Sequence, residues 1–228
     1  MKTKKTHIIS LGGSIIVPDK INITFLKKFR KMILSLVKKG HRFVIVTGGG
    51  NTGRVYNQAA KKIAKIKDID LDWLGIAATK MNAEFIRVIF SDSAFKKVIT
   101  NPTKKVKTNK KIIIGSGWRP GCSSDKDTVL LAKQFKAKTV INLFDKDYVY
   151  DKDPDKYKTA RPLKEISWSD YLKIIGTQWS PRLSTPFDPE ASKLAKKHKI
   201  KVIIIKGTNL KNLKNYLSGK KYKGTIIK

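Results

Sequence analysis

Two glycine clusters, each directly after a short apolar run, are the residues of this chain best suited to chemistry. Gly12 and Gly13 lie between Ser10 and Ser14, and the second cluster is Gly48–Gly50. Consecutive glycines after a strand leave backbone N–H groups uncovered by Cβ atoms, so a polyphosphate can approach and accept several hydrogen bonds. Neither cluster continues as a dinucleotide fingerprint or as a lysine-containing P-loop. One such turn is most simply a tight bend, but two at corresponding strand ends predict a phosphate site.

A third glycine-rich segment, residues 115–121, follows the apolar run Ile112–Ile114. In an open α/β sheet, turns that follow parallel strands gather at the carboxyl edge, where ligands bind. We therefore expect the three segments to face one crevice.

Several polar side chains accompany these turns. Ser14 either donates a hydrogen bond to a phosphate oxygen or caps the segment that follows it. Arg54 lies near the start of a predicted helix, where a guanidinium would reinforce phosphate binding; the alternative is a surface cation. Arg119 and Arg182 also lie in or beside suspected turns. Asp125 either caps a helix or orients a lysine or a magnesium-bound phosphate.

The net charge of the chain is +33, from 50 Lys and Arg residues against 17 Asp and Glu. Such a chain attracts polyanions, with an affinity that falls as the salt concentration rises. The lysines are spread along the whole sequence and do not form one basic tail. We therefore interpret most of the charge as solvated surface, and we expect any binding of nucleic acid to be non-specific and electrostatic.

Composition also limits the class of protein. No apolar run approaches the ~18 to 20 residues that cross a membrane, which predicts a cytoplasmic protein without a membrane partner. The single cysteine, Cys122, excludes an internal disulfide and a multi-cysteine metal site, and no partner is evident for a catalytic thiol. The aspartate-rich residues 145–155 lack the glycine and glutamate of a calcium loop. We interpret His7, His41 and His198 as surface or turn residues and predict no metal ligands.

The alternation of β-branched runs with amphipathic stretches predicts an α/β protein with a mainly parallel sheet flanked by helices. No linker-like segment interrupts it, so we expect a single domain over residues 1–228. Residues 91–111 fit no element, and residues 145–157 read as a surface loop. Val55, Ala59 and Ile63 are expected to mark a helix packed behind the sheet. Strands are expected at residues 6–10, 43–46, 112–114, 139–143 and 201–205, with a short one at the end, and helices at about 25–37, 55–63, 72–90, 125–135, 169–175, 188–198 and 209–217.

Five motifs occur in order along the chain. They are Ser10-Leu-Gly-Gly-Ser14; Thr47-Gly-Gly-Gly50 with Arg54; Leu71 to Ala83, which contains Asp72; Arg119-Pro-Gly-Cys-Ser-Ser-Asp125; and Tyr148-Val-Tyr-Asp-Lys-Asp-Pro154. Their order and spacing resemble those of the archaeal-type uridylate kinases of the amino acid kinase family. The resemblance implies a three-layer αβα sandwich, transfer of phosphate from ATP to UMP to give ADP and UDP in pyrimidine nucleotide biosynthesis, a Mg²⁺ cofactor and a homohexamer.

The resemblance also implies roles for particular residues. Arg54 and Asp125 match catalytic positions, Asp125 lying at the heart of the site. Asp72 matches the acceptor for the ribose hydroxyls of UMP. The residues that match ATP contacts are Gly13, Ser14, Gly50, Arg54, Phe144, Asp145, Tyr150 and Asp153. Those that match UMP contacts are Gly49, Asp72, Trp118, Arg119, Pro120, Gly121, Cys122, Ser123 and Ser124.

Three departures from the family pattern bear on the mechanism. Ser10 stands where many members carry a lysine, so a cation at the transferring phosphoryl must come from Arg54, magnesium or another lysine. Tyr148 replaces a glycine of the adenine loop. Cys122 and its two serines replace His-Thr-Thr in the UMP loop. Two alternatives stay open: a kinase of the same fold for isopentenyl phosphate or another small acid, and a nucleotide- or nucleic-acid-binding homologue with weakened catalysis.

Overall fold

A seven-stranded sheet crosses the middle of the described chain, which in this computed structural model comprises residues 5–178 and 185–228. The strand order is β3-β2-β1-β4-β8-β9-β7, and a separate pair joins β5 to β6. β1 to β4 and β8 are parallel, whereas β9 is antiparallel to β8. In chain order the strands are β1 (Thr6–Leu11), β2 (Arg42–Thr47), β3 (Ile112–Gly115), β4 (Thr139–Phe144), β5 (Val149–Tyr150), β6 (Pro162–Leu163), β7 (Glu165–Ile166), β8 (Lys201–Lys206) and β9 (Thr225–Ile227).

Five of the eight helices in the described ranges begin at a polar side chain that caps them, and several end at glycine or basic residues. Asn22, Ser123 and Asp188 accept hydrogen bonds from the first turns of the helices that follow them. Gly40, with a φ of +90°, comes directly after the first long helix, as its sequence predicted. The helices are α1 (Gly13–Ile16), α2 (Ile23–Lys38), α3 (Gly50–Ile63), α4 (Asp68–Phe90), α5 (Ser124–Gln134), α6 (Trp168–Ile175), α7 (Pro189–Lys197) and α8 (Leu210–Leu217).

The two faces of the sheet carry two separate apolar cores. Side chains of a strand point alternately to opposite faces, so Ile9 and Leu11 of β1 lie on one face and Ile8 on the other. The first face packs against α2, α8 and the end of α4, and the second packs against α5, α6 and α7. The predicted three-layer αβα sandwich is confirmed, and its parallel strands are largely apolar because both faces are covered.

The predicted helix through Val55, Ala59 and Ile63 exists as α3, but the prediction of its buried side was wrong. Val55 is 51% exposed and Ile63 is 84% exposed, whereas Gly53 and Asn57 are buried. The reason is that α3 packs against α4 and α1 instead of the sheet, and a Cβ atom at Gly53 would lie 3.3 Å from the Cβ atom of Ala78. The inward side of α3 is therefore small and polar.

Two further expectations need correction. Residues 145–157 are not wholly loop, because Val149 and Tyr150 pair with Leu163 and Pro162 in a short hairpin. His7 is not a surface residue: it is 5% exposed on β1, its Nε2 lies 2.8 Å from Nδ1 of His41, and burial together with His41 and Lys5 lowers its pKa to about 4.

None of the helices in the described ranges is long and apolar enough to cross a membrane. The single domain over residues 1–228 stays a prediction.

Candidate functional site

The glycine turns after β1 and β2 touch one another at the carboxyl edge of the sheet. A Cβ atom at Gly13 would lie 2.0 Å from the backbone nitrogen of Gly50, so no larger residue fits there. Gly50 itself has a φ of +63°, a conformation that glycine adopts most readily. Asn82 of α4 holds the second turn, since its Nδ2 donates to the carbonyl oxygens of Gly48 and Gly49 over 2.8 and 3.0 Å.

The third turn reaches the same place through Thr79 of α4. The backbone N–H of Gly117 donates to Thr79 Oγ1 over 2.8 Å, and Thr47 Oγ1 at the end of β2 donates to the Thr79 carbonyl over 3.0 Å. The second and third segments therefore line one crevice, as expected, whereas the first lies behind it, where Gly13 packs against Gly50. This crevice adjoins the point where the strand order turns back from β1 to β4, the usual ligand position in open α/β sheets.

A cavity of about 510 Å³ opens at this edge, a volume within the range of small-molecule sites. The predicted residues that line it are Gly49, Gly50, Arg54, Asp72, Arg119, Cys122, Ser123, Ser124 and Asp125. The lining residues that sequence reasoning did not assign are Gly53, Asn57, Leu71, Gly75, Ile76, Thr79, Gly117, Thr185 and Asp188.

The remaining predicted residues lie outside the cavity wall. Gly13 supports it from behind through Gly50, and Trp118, Pro120 and Gly121 belong to the loop that forms one side. The four residues expected around the adenine lie at or beyond the end of β4: Phe144, its last residue, and Tyr150 are half-buried, and Asp145 and Asp153 are exposed. Ser14 is exposed, and α1 begins with Gly12, without a side-chain cap.

Arg54 lies in the first turns of α3 at the mouth of the cavity. Its Nη2 donates to the Pro18 carbonyl over 3.3 Å, and Nδ2 of Asn51 donates to the Asp19 carbonyl over 3.2 Å. Arg54 lines the cavity together with Gly49 and Gly50 at the start of α3, where a helix N-terminus and a guanidinium both favour an anion. Arg182, which the sequence also singled out, lies outside the described residues.

Asp125 does not cap α5, so that alternative was wrong. The cap is Ser123, whose Oγ accepts from the backbone N–H of Lys126 over 3.1 Å. Asp125 instead accepts a hydrogen bond of 2.9 Å from Ser10 Oγ at the end of β1. Burial and the nearby carboxylate of Asp188 raise the pKa of Asp125, and the Ser10 hydrogen bond opposes that rise.

Asp188 is a second carboxylate in the cavity wall. It caps α7, where its Oδ1 accepts from the N–H groups of Glu190 and Ala191 over 2.8 and 2.9 Å, and its Oδ2 accepts from Ser123 Oγ. Burial raises its pKa despite these bonds. The sequence did contain a signal for this position, because Asp followed by Pro189 is typical of a helix start. Nothing in the sequence indicated that the start faces the cavity.

The loop of residues 117–123 is fastened by two aspartates. Asp72 Oδ2 accepts from the backbone N–H of Gly121 over 3.2 Å. The fully buried Asp127 accepts from the backbone N–H of Trp118 and from the Cys122 thiol, each over 3.1 Å. Burial raises the pKa of Asp127 to about 7, and burial with the neighbouring Asp127 raises the pKa of the Cys122 thiol, which disfavours a thiolate nucleophile.

Arg119 points from the same loop, and its guanidinium carbon lies 4.1 Å from the centre of the Trp118 ring. The loop therefore presents a cation to a cavity whose other walls carry Asp72, Asp125 and Asp188. A ligand with both anionic and hydrogen-donating groups suits such a surface.

The donor set suits a magnesium ion only in part. Among residues 5–178 and 185–228, no group of three or more His, Cys, Asp and Glu residues is arranged to hold a metal ion. Magnesium at phosphoryl-transfer sites is commonly bound by one or two carboxylates together with substrate phosphates. Asp125 lines the cavity and can supply such a carboxylate.

A parallel α/β sheet with glycine turns, an arginine and carboxylates around one cavity defines a protein that binds phosphorylated ligands. The chain belongs to the amino acid kinase family, which it matches over residues 5–206.

Its similarity to individual proteins covers nearly the whole chain. A protein of Sulfurisphaera tokodaii named uridylate kinase is 33% identical over 224 residues, which are 96% of this chain and 97% of the relative. A uridylate kinase of Thermoplasma volcanium is 33% identical over 93% of each chain. Among solved structures, the uridylate kinase of Archaeoglobus fulgidus is 28% identical, with a TM-score of 0.81 over 98% of this chain and 100% of that one.

Proposed function

We propose that this protein is a UMP kinase that transfers the γ-phosphoryl group of ATP to UMP, giving ADP and UDP, in pyrimidine nucleotide biosynthesis. The observation that carries the proposal is the cavity at the carboxyl edge, which collects Gly49, Gly50, Arg54, Asp72 and Asp125. Relatives named uridylate kinase, similar over nearly their full length, support the same substrate.

UMP is the acceptor in this proposal. Its phosphate lies against the N–H group of Gly49, while Gly50 contacts the ATP phosphates and the guanidinium of Arg54 neutralises the negative charge between the two nucleotides. Asp72 accepts a ribose hydroxyl, and residues 118–124 form the wall around the nucleotide. Asp127, which binds both ends of this loop, keeps the wall in place.

ATP approaches from the side of β1 and β4. Gly13 and Ser14 face its phosphates, and Phe144, Asp145, Tyr150 and Asp153 surround the adenine side. Tyr148, where the family pattern has glycine, lies with its ring edge-on to Tyr150 at 6.5 Å between centres. An aromatic pair at this position offers apolar surface to a purine base.

The chemical step needs no covalent intermediate. A UMP phosphate oxygen forms a bond to the γ-phosphorus of ATP as the bond from that phosphorus to the β–γ bridging oxygen breaks, and ADP leaves with the electron pair. Arg54 neutralises charge on the transferring group, and the N–H groups of the turns orient it. Mg²⁺, when bound, supplies further neutralisation of the phosphates, with Asp125 as the protein carboxylate that would hold it.

The cytoplasm is the proposed location and a homohexamer the proposed assembly. Exposed apolar side chains on α3 and α4 support self-association, because Ile63, Ile69 and Met81 are 84%, 55% and 67% exposed. Covering them against a second copy would remove this apolar surface from water. The charge of +33 contributes only non-specific attraction for nucleic acid in this account.

An assay of ADP release across several acceptors tests the function. UMP should support turnover well above that with CMP, with isopentenyl phosphate or without an acceptor. No UMP-dependent release at any magnesium concentration would overturn the proposal. A higher kcat/KM for isopentenyl phosphate would favour the small-acid kinase, and salt-resistant binding of single-stranded RNA that UMP displaces would favour the binding homologue.

A further inference from the structure

Asn57 is a buried polar residue in the cavity wall with an unused hydrogen-bond acceptor. It lies on the inward side of α3 and is 5% exposed. Within the described residues its Oδ1 has no hydrogen-bond partner. Leaving such a group unpaired costs roughly 1 to 3 kcal/mol, and buried polar atoms in native proteins are rarely left so. Asn57 lines the cavity while its buried Oδ1 lacks a donor, which indicates that a bound ligand supplies one.

The position of Asn57 limits which part of a ligand reaches it. Arg54 lies three residues earlier on α3, so Asn57 is about 4.5 Å further along the helix axis. Both residues line the cavity, as does Asp72 on α4. An amide oxygen does not attract phosphate oxygens, which are also acceptors. When a nucleotide phosphate contacts Arg54, the group found one helical turn away is its sugar, which carries hydroxyl donors.

We propose that Asn57 accepts a hydrogen bond from a ribose hydroxyl of the acceptor nucleotide and so selects ribonucleotides over deoxyribonucleotides. The inference rests on the proposed function and adds to it a residue that determines sugar specificity. The selection follows from burial: a nucleotide that lacks the hydroxyl leaves the buried Oδ1 unpaired, and sites built around a substrate hydroxyl reject analogues without it. A permanently bound water on Oδ1 is the competing explanation, and the experiment separates the two.

The test compares UMP with its 2′-deoxy and 3′-deoxy analogues in the wild type and in Asn57→Leu. Leucine keeps similar volume but offers no acceptor. The neighbouring Gln58 is exposed, so Gln58→Leu is the matched control. We expect Asn57→Leu to raise the KM for UMP about tenfold with a much smaller change in kcat, and to leave unchanged the KM for the analogue that lacks the contacting hydroxyl. Gln58→Leu should behave as the wild type.

Two results would overturn the inference. One is an equal change in KM for all three nucleotides, and the other is no change in KM for any of them. Either result would mean that Asn57 packs the helix or holds a water molecule and does not contact the sugar. If Asn57→Leu does not fold, the wild type still decides, because equal kcat/KM for UMP and both deoxy analogues contradicts a buried sugar contact. Absence of UMP turnover in the wild type refutes the proposed function, whereas UMP turnover indifferent to Asn57 refutes this inference alone.

Discussion

Ser10 Oγ donates a hydrogen bond of 2.9 Å to Oδ1 of Asp125, although 115 residues separate the two in sequence. Ser10 is buried at the end of β1, and Asp125 lies in the first turn of α5. The resemblance of the sequence to the uridylate kinases leads us to expect a lysine at the serine position. Here a neutral hydroxyl contacts the carboxylate, and the proposed mechanism leaves charge neutralisation to Arg54 and magnesium.

Replacing Ser10 tests this positioning. In Ser10→Ala the hydrogen bond that lowers the pKa of Asp125 is lost, so that pKa rises. Activity that needs the Asp125 carboxylate should then fall about tenfold near neutral pH, and the acidic limb of the kcat/KM profile should move to higher pH. Ser10→Thr keeps the hydroxyl and should keep the wild-type profile. An equal loss of activity at every pH, without a shift in the acidic limb of the kcat/KM profile, would contradict the positioning role of Ser10.

Arg54 is expected to carry most of the charge neutralisation. Arg54→Ala should lower kcat/KM for UMP by about 100-fold or more, because a positioned donor to the transferring group is lost. Arg54→Lys should recover only part of the lost kcat/KM, since the lysine ammonium lacks the planar fork of N–H donors of a guanidinium. Arg161 is exposed and outside the cavity, so Arg161→Ala serves as the control. Wild-type turnover in Arg54→Ala would refute its role.

Asp127 makes stability depend on pH. Its pKa is about 7 in the folded protein and near 3.9 in an unfolded chain, so between these values the folded state holds a proton that the unfolded state has lost. This contribution to the free energy of unfolding is fully present below about pH 4 and is lost as pH rises toward 7, by up to about 1.4 kcal/mol per pH unit. Asparagine has no carboxyl group to ionise, so Asp127→Asn lacks this contribution to the pH dependence of stability.

Urea unfolding of Asp127→Asn and wild type at pH 5, 6, 7 and 8 measures the effect. The stability of the variant relative to wild type should rise from pH 5 to 7 and then level. Asp170 is exposed at the start of α6, where Lys173 lowers its pKa, so Asp170→Asn should not reproduce this rise. A difference between Asp127→Asn and wild type that is independent of pH would show that Asp127 is ionised throughout.

The contact between the glycine turns predicts opposite outcomes for two Gly-to-Ala changes. Gly13→Ala places a Cβ atom 2.0 Å from the Gly50 nitrogen and should destabilise the protein by about 3 kcal/mol or more. Gly75 lies within α4, and a Cβ atom there meets nothing within 4 Å. Gly75→Ala should stabilise by about 0.5 to 1 kcal/mol through helix propensity. Equal unfolding midpoints for the two variants would exclude the close contact.

Local patterns were sufficient to predict the sheet and most helices. The run Ile112–Ile114 and the apolar stretches of β1, β2 and β8 are strands because covered parallel strands need apolar residues on both faces. The glycine turns were also predicted, because consecutive glycines follow apolar runs. The structure adds a second reason for glycine at position 13, where the close approach of Gly50 admits no side chain.

Sequence could not predict which side chains meet across the fold. The periodicity of α3 identified a helix, but Val55 and Ile63 face outward and the polar Asn57 faces inward, because the partner of α3 is α4. The contact of Ser10 with Asp125 depends on β1 and α5 lying side by side. Asp127 was missed because a carboxylate on a helix reads as solvated surface unless its backbone and thiol donors are known.

Transfer of a labelled γ-phosphoryl group from ATP to UMP is the sharpest test of UMP kinase activity. Incubation of the protein with γ-labelled ATP, magnesium and UMP, followed by chromatographic separation, should place the label in UDP, and Arg54→Ala should form that product about 100-fold more slowly or slower still. Label that stays in ATP or appears only as inorganic phosphate, in wild-type protein with an intact thermal unfolding transition, would contradict UMP kinase activity.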